Sequence, residues 1–171
     1  MTYPNTIVLL GTNMIFVAAV LYIIALFLQE KVGAKETAGM CILTGSINAI
    51  SAVYVGFVMG DAVTLTSYLL FGFTYFFFAF NVLQGADTNT GLGNYALVVA
   101  ICAVPFFYVN FTAGLMILAF FWVMWGQLWA AFWVANGLQK QISKFLAYDT
   151  YLVAALNLIV GLGFLFGWIT L

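Results

Sequence analysis

Six long runs of apolar residues constrain this chain more than any motif. They lie at about 6–28, 37–59, 64–84, 94–111, 113–136 and 149–171. A membrane-spanning helix needs about 20 predominantly apolar residues, so each run is long enough to span. Charges fall between the runs or at their ends. Glu30, Lys31, Lys35 and Glu36 lie in the first connection, Asp61 in the second and Asp87 in the third. Lys140 and Lys144 lie in the fifth connection, and Asp149 opens the sixth run. This spacing leaves no charge at bilayer depth, where each would be costly. The fold class predicted is all-α integral membrane, with six transmembrane helices over a single domain, 1–171.

Composition excludes the main alternatives. Charged residues make up 5% of the chain and hydrophobic residues 66%. A soluble domain carries about 25% charged residues, so this chain cannot cover a surface in water. With four basic residues, all lysine, it lacks the basic face of a nucleic-acid binder. It has no His, which removes imidazole-held haem, His-ligated metals and His-based triads. Cys41 and Cys102 sit inside apolar runs without partners at ligand spacing, and read as packing residues. No cluster of Ser, Lys and carboxylate suggests catalysis, so no enzyme and no cofactor are expected. Met1–Asn5 lacks the positive start of a signal peptide, so the first run reads as a retained helix.

The lysines give an orientation. All four lie in the connections after helices 1 and 5, which an even number of spans separates, so they share a side. The positive-inside rule makes that side cytoplasmic and puts both termini outside. An internal repeat is also visible. Leu28-Gln29, Leu83-Gln84 and Leu138-Gln139 end helices 1, 3 and 5 at a constant spacing of 55 residues. Three helical hairpins, about 1–60, 61–112 and 113–171, then run as parallel repeats about an axis along the membrane normal.

Two aromatic stripes stand out. Trp122, Trp125, Trp129 and Trp133 share one face of helix 5 at 3.6 residues per turn. Phe73, Phe76, Phe77 and Phe80 form a similar face on helix 3. The tryptophans run through three turns, unlike an interfacial belt. Either the stripes line a route or they pack helices. The polar residues within the spans are amides and hydroxyls, among them Asn13, Asn48, Asn81, Asn136 and Asn157, with Thr44, Asn48 and Ser51 forming a stripe on helix 2. Interhelical hydrogen bonds, worth about 0.6 kcal/mol each, are the plain explanation. Gly161, Gly163 and Gly167 suit close helix contact. A path of aromatic planes, amides and hydroxyls fits a small neutral solute better than an ion, which needs charge rings or ordered carbonyls.

The run Leu69-Leu70-Phe71-Gly72-Phe73-Thr74-Tyr75 with Asn81, and the run Trp122-Val123-Met124-Trp125-Gly126-Gln127-Leu128-Trp129 with Phe132 and Asn136, resemble the helix-3 and helix-5 signatures of the urea channel and short-chain amide transporter family (UreI/AmiS type). The turn from Val32 through Lys35 to Thr37 and Ala38 is also similar. The resemblance implies three hairpins around a pore in each protomer, a homo-hexamer in the bacterial inner membrane, and passive conduction of urea or small amides. By position it implies that Phe73, Phe77, Trp122, Trp125 and Trp129 are pore aromatics, that Leu128 faces the pore, and that Val17 and Leu21 contribute from helix 1. If the two stripes meet, they form a slot for a planar solute, with Thr74 and the amides as its hydrogen-bond partners. The Glu of acid-gated members falls near Leu156 or Asn157, where this chain has no acid, and it lacks their His-bearing loops. Asn157 is the residue taken to line the path there, and acid gating by that route is in doubt. The rival readings are a structural membrane subunit and a proton-coupled amide transporter, which would need an ionisable residue at depth.

Overall fold

The computed structural model describes residues 4–86 and 88–171; Met1–Tyr3 and Asp87 lie outside it. The helices are α1 (Pro4–Phe27), α2 (Ala34–Val53), α3 (Ala62–Leu83), α4 (Thr90–Thr112), α5 (Met116–Phe132) and α6 (Ser143–Leu165). π-helical turns extend α2 over Tyr54–Val58 and α5 over Trp133–Gly137. All six spans are long and apolar enough to cross a membrane. The chain is a multi-pass membrane protein of hairpin repeats. The lysine end of the bundle carries the α1–α2, α3–α4 and α5–α6 connections, and the opposite end carries the α2–α3 and α4–α5 turns.

Consecutive helices are neighbours and α6 closes on α1, so the six form a ring. The closest pairs are α1 with α6, α2 with α3, and α4 with α5. In lipid there is no hydrophobic drive between helices, so small residues that let backbones approach supply the attraction. Each close pair has such a seam. A Cβ on Gly11 would lie 2.7 Å from the Gly161 carbonyl, and one on Gly45 would lie 3.2 Å from that of Gly72. On Gly126 it would meet Ala103 at 2.9 Å.

The repeat is written in the helix ends. Gly60, Gly114 and Gly167, with φ of 73°, 78° and 71°, follow the ends of the second, fourth and sixth spans. At the lysine end Glu30, Gly85 and Gln139 take left-handed conformations after α1, α3 and α5. The first two follow their Leu-Gln pair, whereas the third is the Gln itself. Only α5 of these three helices ends in a π-helical turn, Trp133–Gly137. The closing bonds agree: Lys31 N–H donates to Leu26 O and Ala86 N–H to Asn81 O, but Lys140 N–H reaches back to Val134 O.

The sixth span differs from its sequence expectation. It starts at Ser143, six residues before Asp149, and the chain turns back at Gly167. Trp168 and Ile169 N–H groups both donate to Gly163 O, and Ile169 packs on Gly163. Of the three glycines, only Gly161 makes an interhelical seam; Gly163 seats the C-terminal turn and Gly167 makes it. Asp149 therefore lies about 9 Å inside its helix at 1.5 Å per residue, and a charge does sit within a span. Gln127, mid-α5 and exposed on the outer face, donates to both Asp149 carboxylate oxygens at 2.8 and 3.0 Å. The pair offsets part of the cost that had argued for an end position.

Candidate functional site

The odd-numbered helices turn their large residues to the ring's centre. Met14, Val17 and Leu21 come from α1, Phe71 and Tyr75 from α3, and Trp122, Trp125, Leu128 and Trp129 from α5. The phase of α3 is set by its seam with α2. Gly72 faces Gly45 across that seam. Tyr68, Phe71 and Tyr75, at helical spacing, turn inward, and Phe73, two residues from Phe71, is carried about 200° round the helix.

Two cavities lie along the centre and share no lining residue. The larger, about 460 Å³, opens towards the end opposite the lysines. Its walls include Asn13, Val17, Asn48, Tyr68, Phe71, Trp122 and Trp125, with Asp61, Thr64 and Asn110 towards its mouth. The smaller, about 60 Å³, lies nearer the lysine end, among Ile24, Thr74, Tyr75, Trp129, Phe132 and Asn136. Phe71 stands between them. Its ring centroid is 5.7 Å from Trp122, 5.0 Å from Trp125 and 6.0 Å from Trp129. Tyr75 lies 6.4 Å from Trp129 on the smaller cavity's side. Phe106 stacks on Trp122 at 4.3 Å and 12°. These are direct aromatic contacts, so a planar solute passes from one cavity to the other only if a ring turns.

The polar atoms along this line are unusual. Asn13 Oδ1, Asn48 Nδ2, the Tyr68 hydroxyl and Trp125 Nε1 are carried by residues that line the larger cavity, and the Tyr75 hydroxyl and Trp129 Nε1 by residues that line the smaller one. All six are buried with no protein hydrogen-bond partner. Leaving such a group unbonded costs about 1–3 kcal/mol, so a core selected only for stability would not collect them here. Asp61 is the one carboxylate among the described lining residues. It caps α3, accepting from Thr64 N–H at 2.9 Å and Thr64 Oγ1 at 2.6 Å.

The AmiS/UreI family transporter model matches residues 9–168. The chain belongs to this family. No curated protein matches it. Among solved structures it is similar to the Helicobacter pylori urea channel in its closed state, with 25% identity and a TM-score of 0.82 over 94% of this chain and 100% of that one. A crystal structure of the urea channel from the same organism matches at 25% identity and a TM-score of 0.76, over 94% and 99%.

In this transporter the expected site residues divide. Val17, Trp122 and Trp125 line the larger cavity, and Thr74 and Trp129 the smaller. Thr74 donates its hydroxyl to Phe71 O at 2.6 Å, leaving the oxygen to accept. Leu21, Leu128 and Asn157 are buried but line neither cavity. Asn157 donates to Val153 O at 2.8 Å. Phe73 and Phe77 do not meet the tryptophans. Phe73 is 50% and Phe77 36% exposed on the outer face, against 7% for Phe71. In lipid a phenylalanine is as comfortable outside as inside, so abundance of Phe does not mark the inner face. Beyond the first turns of α3, where Thr66 is exposed, the hydroxyls do: Tyr68, Thr74 and Tyr75 are the signal that names the inward stripe. Phe71, Tyr75 and Phe106 are the aromatics that the stripes alone did not single out.

Proposed function

We propose that this transporter is a passive channel for urea and short-chain amides in the bacterial inner membrane, with the lysine-bearing connections cytoplasmic and both termini outside. The observation that carries this is the row of six unpartnered, buried, uncharged polar groups along the two cavities. Urea has a carbonyl and two NH₂ groups on one plane, so it can answer such donors and acceptors in turn. A hydrated ion would give up its water with no charge beyond Asp61 to replace it. Weak sites in series allow rapid passage. The closed-state likeness agrees with Phe71 blocking the line between the cavities.

The proton-coupled alternative is not favoured, because Asp149, the carboxylate inside a span, is bonded to Gln127 on the outer face and lines neither cavity. The same pair supports the oligomer. An exposed Gln127 and a carboxylate are costly against lipid, which favours a protein neighbour there, and the assembly proposed is the homo-hexamer that the family resemblance implies. No cofactor enters this reading.

The test is stopped-flow light scattering on proteoliposomes given urea, acetamide or a potassium salt gradient. Urea and acetamide should relax well above empty vesicles with no potassium conductance. Equal rates in empty and loaded vesicles would overturn the reading. Cysteines placed in the Gly60 turn and next to Lys140 should label from opposite sides.

A further inference from the structure

Residues lining the larger cavity carry an unpartnered donor and an unpartnered acceptor that the aromatic constriction does not explain. Asn13 is 2% exposed, and its amide orientation is fixed by its neighbours. Nδ2 donates to Leu9 O at 2.9 Å and to Ser51 Oγ at 2.8 Å, so both hydrogens are spent. Turning the amide over would set Oδ1 against the Leu9 carbonyl, so the free atom is the acceptor Oδ1. Asn48, also 2% exposed, lies one turn along α2 from Ser51 on the same face, where α2 meets Gly72 of α3. Its Nδ2 is buried without a protein partner, and the amide offers a donor and an acceptor. The Tyr68 hydroxyl, on a residue 6% exposed, can do either. All three residues line one cavity, above Phe71.

An acceptor and a donor carried by two residues that line one cavity are the complement of a primary carboxamide, whose NH₂ donates while the adjacent C=O accepts. Resting on the channel reading above, we propose that Asn13, Asn48 and Tyr68 form a docking site for the carboxamide head before the aromatic constriction, with Ser51 as its positioning residue. Here the solute is chosen by chemistry; at Phe71 it is limited by thickness. A site built to hydrogen-bond a group rejects molecules without it far more strongly than a hydrophobic slot rejects a change of size. Glycerol, of similar bulk but without donor and acceptor on one planar head, gains little there.

The experiment measures initial urea influx into phosphatidylethanolamine–phosphatidylglycerol proteoliposomes across urea concentrations, with and without acetamide, and glycerol influx in parallel. Wild-type flux should saturate, and acetamide should compete. Asn48→Leu, which keeps the bulk, should raise the half-saturating urea concentration about tenfold and lower the urea-to-glycerol ratio by a similar factor. Tyr68→Phe removes one oxygen and keeps the ring, so it folds even if Asn48→Leu does not; it should shift both quantities about threefold in the same direction. Ser51→Ala should raise half-saturation with the maximal flux retained. If wild type conducts urea and acetamide but Tyr68→Phe and any folded Asn48→Leu protein keep the wild-type half-saturation and ratio, the docking site is refuted and the channel stands. If wild type conducts neither solute, the channel reading falls first.

Discussion

The two cavities differ in what they ask of a solute. The larger, about 460 Å³, is lined by residues that carry amide and hydroxyl groups without protein partners. The smaller, about 60 Å³, is walled mainly by rings and aliphatic chains, with Thr74, Asn89 and Asn136 among them and two unpartnered groups, the Tyr75 hydroxyl and Trp129 Nε1, on its aromatics. A roomy polar chamber can hold a solute while it trades water for protein hydrogen bonds. A tight aromatic one acts chiefly by admitting or refusing. The difference teaches that recognition and restriction are separable along this line, with Phe71 as the boundary.

Mutations can break that separation. The largest effect should come from Trp129→Ala. It removes the ring shared by Phe71, Tyr75 and the smaller cavity, so butyramide flux should rise about tenfold while urea changes less. Trp133→Ala, in the π-helical turn beyond the constriction, should change both less. Trp125→Phe is subtler, because it keeps a ring and deletes one unpartnered donor. Urea flux should fall about threefold, with its ratio to butyramide nearly constant. Stopped-flow rates normalised to folded protein check these outcomes. Smaller still is the pH response. With no His in the chain and Asp61 the one lining carboxylate described, urea flux should differ by less than about twofold between pH 5 and 7.5. A steep acid activation would refute this. The smallest effect belongs to Asp149→Asn. It keeps an acceptor for Gln127 and touches neither cavity, so urea flux should be unchanged; a loss of flux would revive the proton-coupled alternative.

Much of this was legible in the sequence, for identifiable reasons. Apolar length and excluded charge give six spans whatever the packing, and the helix-5 tryptophans are so regularly spaced that their shared face follows from helical geometry alone. The repeat was visible in Leu28-Gln29, Leu83-Gln84 and Leu138-Gln139, yet Gly60, Gly114 and Gly167 carry it as clearly at the other end. What was hidden depends on rotation about a helix axis. Phe73 and Phe71 are equally apolar, and which one faces inward is decided by the Gly45–Gly72 seam, a contact between helices that periodicity within one helix does not contain. Asp149 misled in the same way. Its charge argued for a helix end, and the partner that lets it lie deeper, Gln127, is on another helix.

The central claim is that solutes cross at Phe71, between the two cavities, and not along the outer phenylalanine stripe. Phe71→Ala and Phe73→Ala compare two positions on one helix, two residues apart and facing opposite ways. The direct measurement is glycerol permeability of proteoliposomes bearing each variant, relative to wild type. Phe71→Ala should join the cavities and raise glycerol permeability about tenfold, while Phe73→Ala stays at the wild-type value. An unchanged rate in a folded Phe71→Ala protein, or a larger change in Phe73→Ala, would contradict the account.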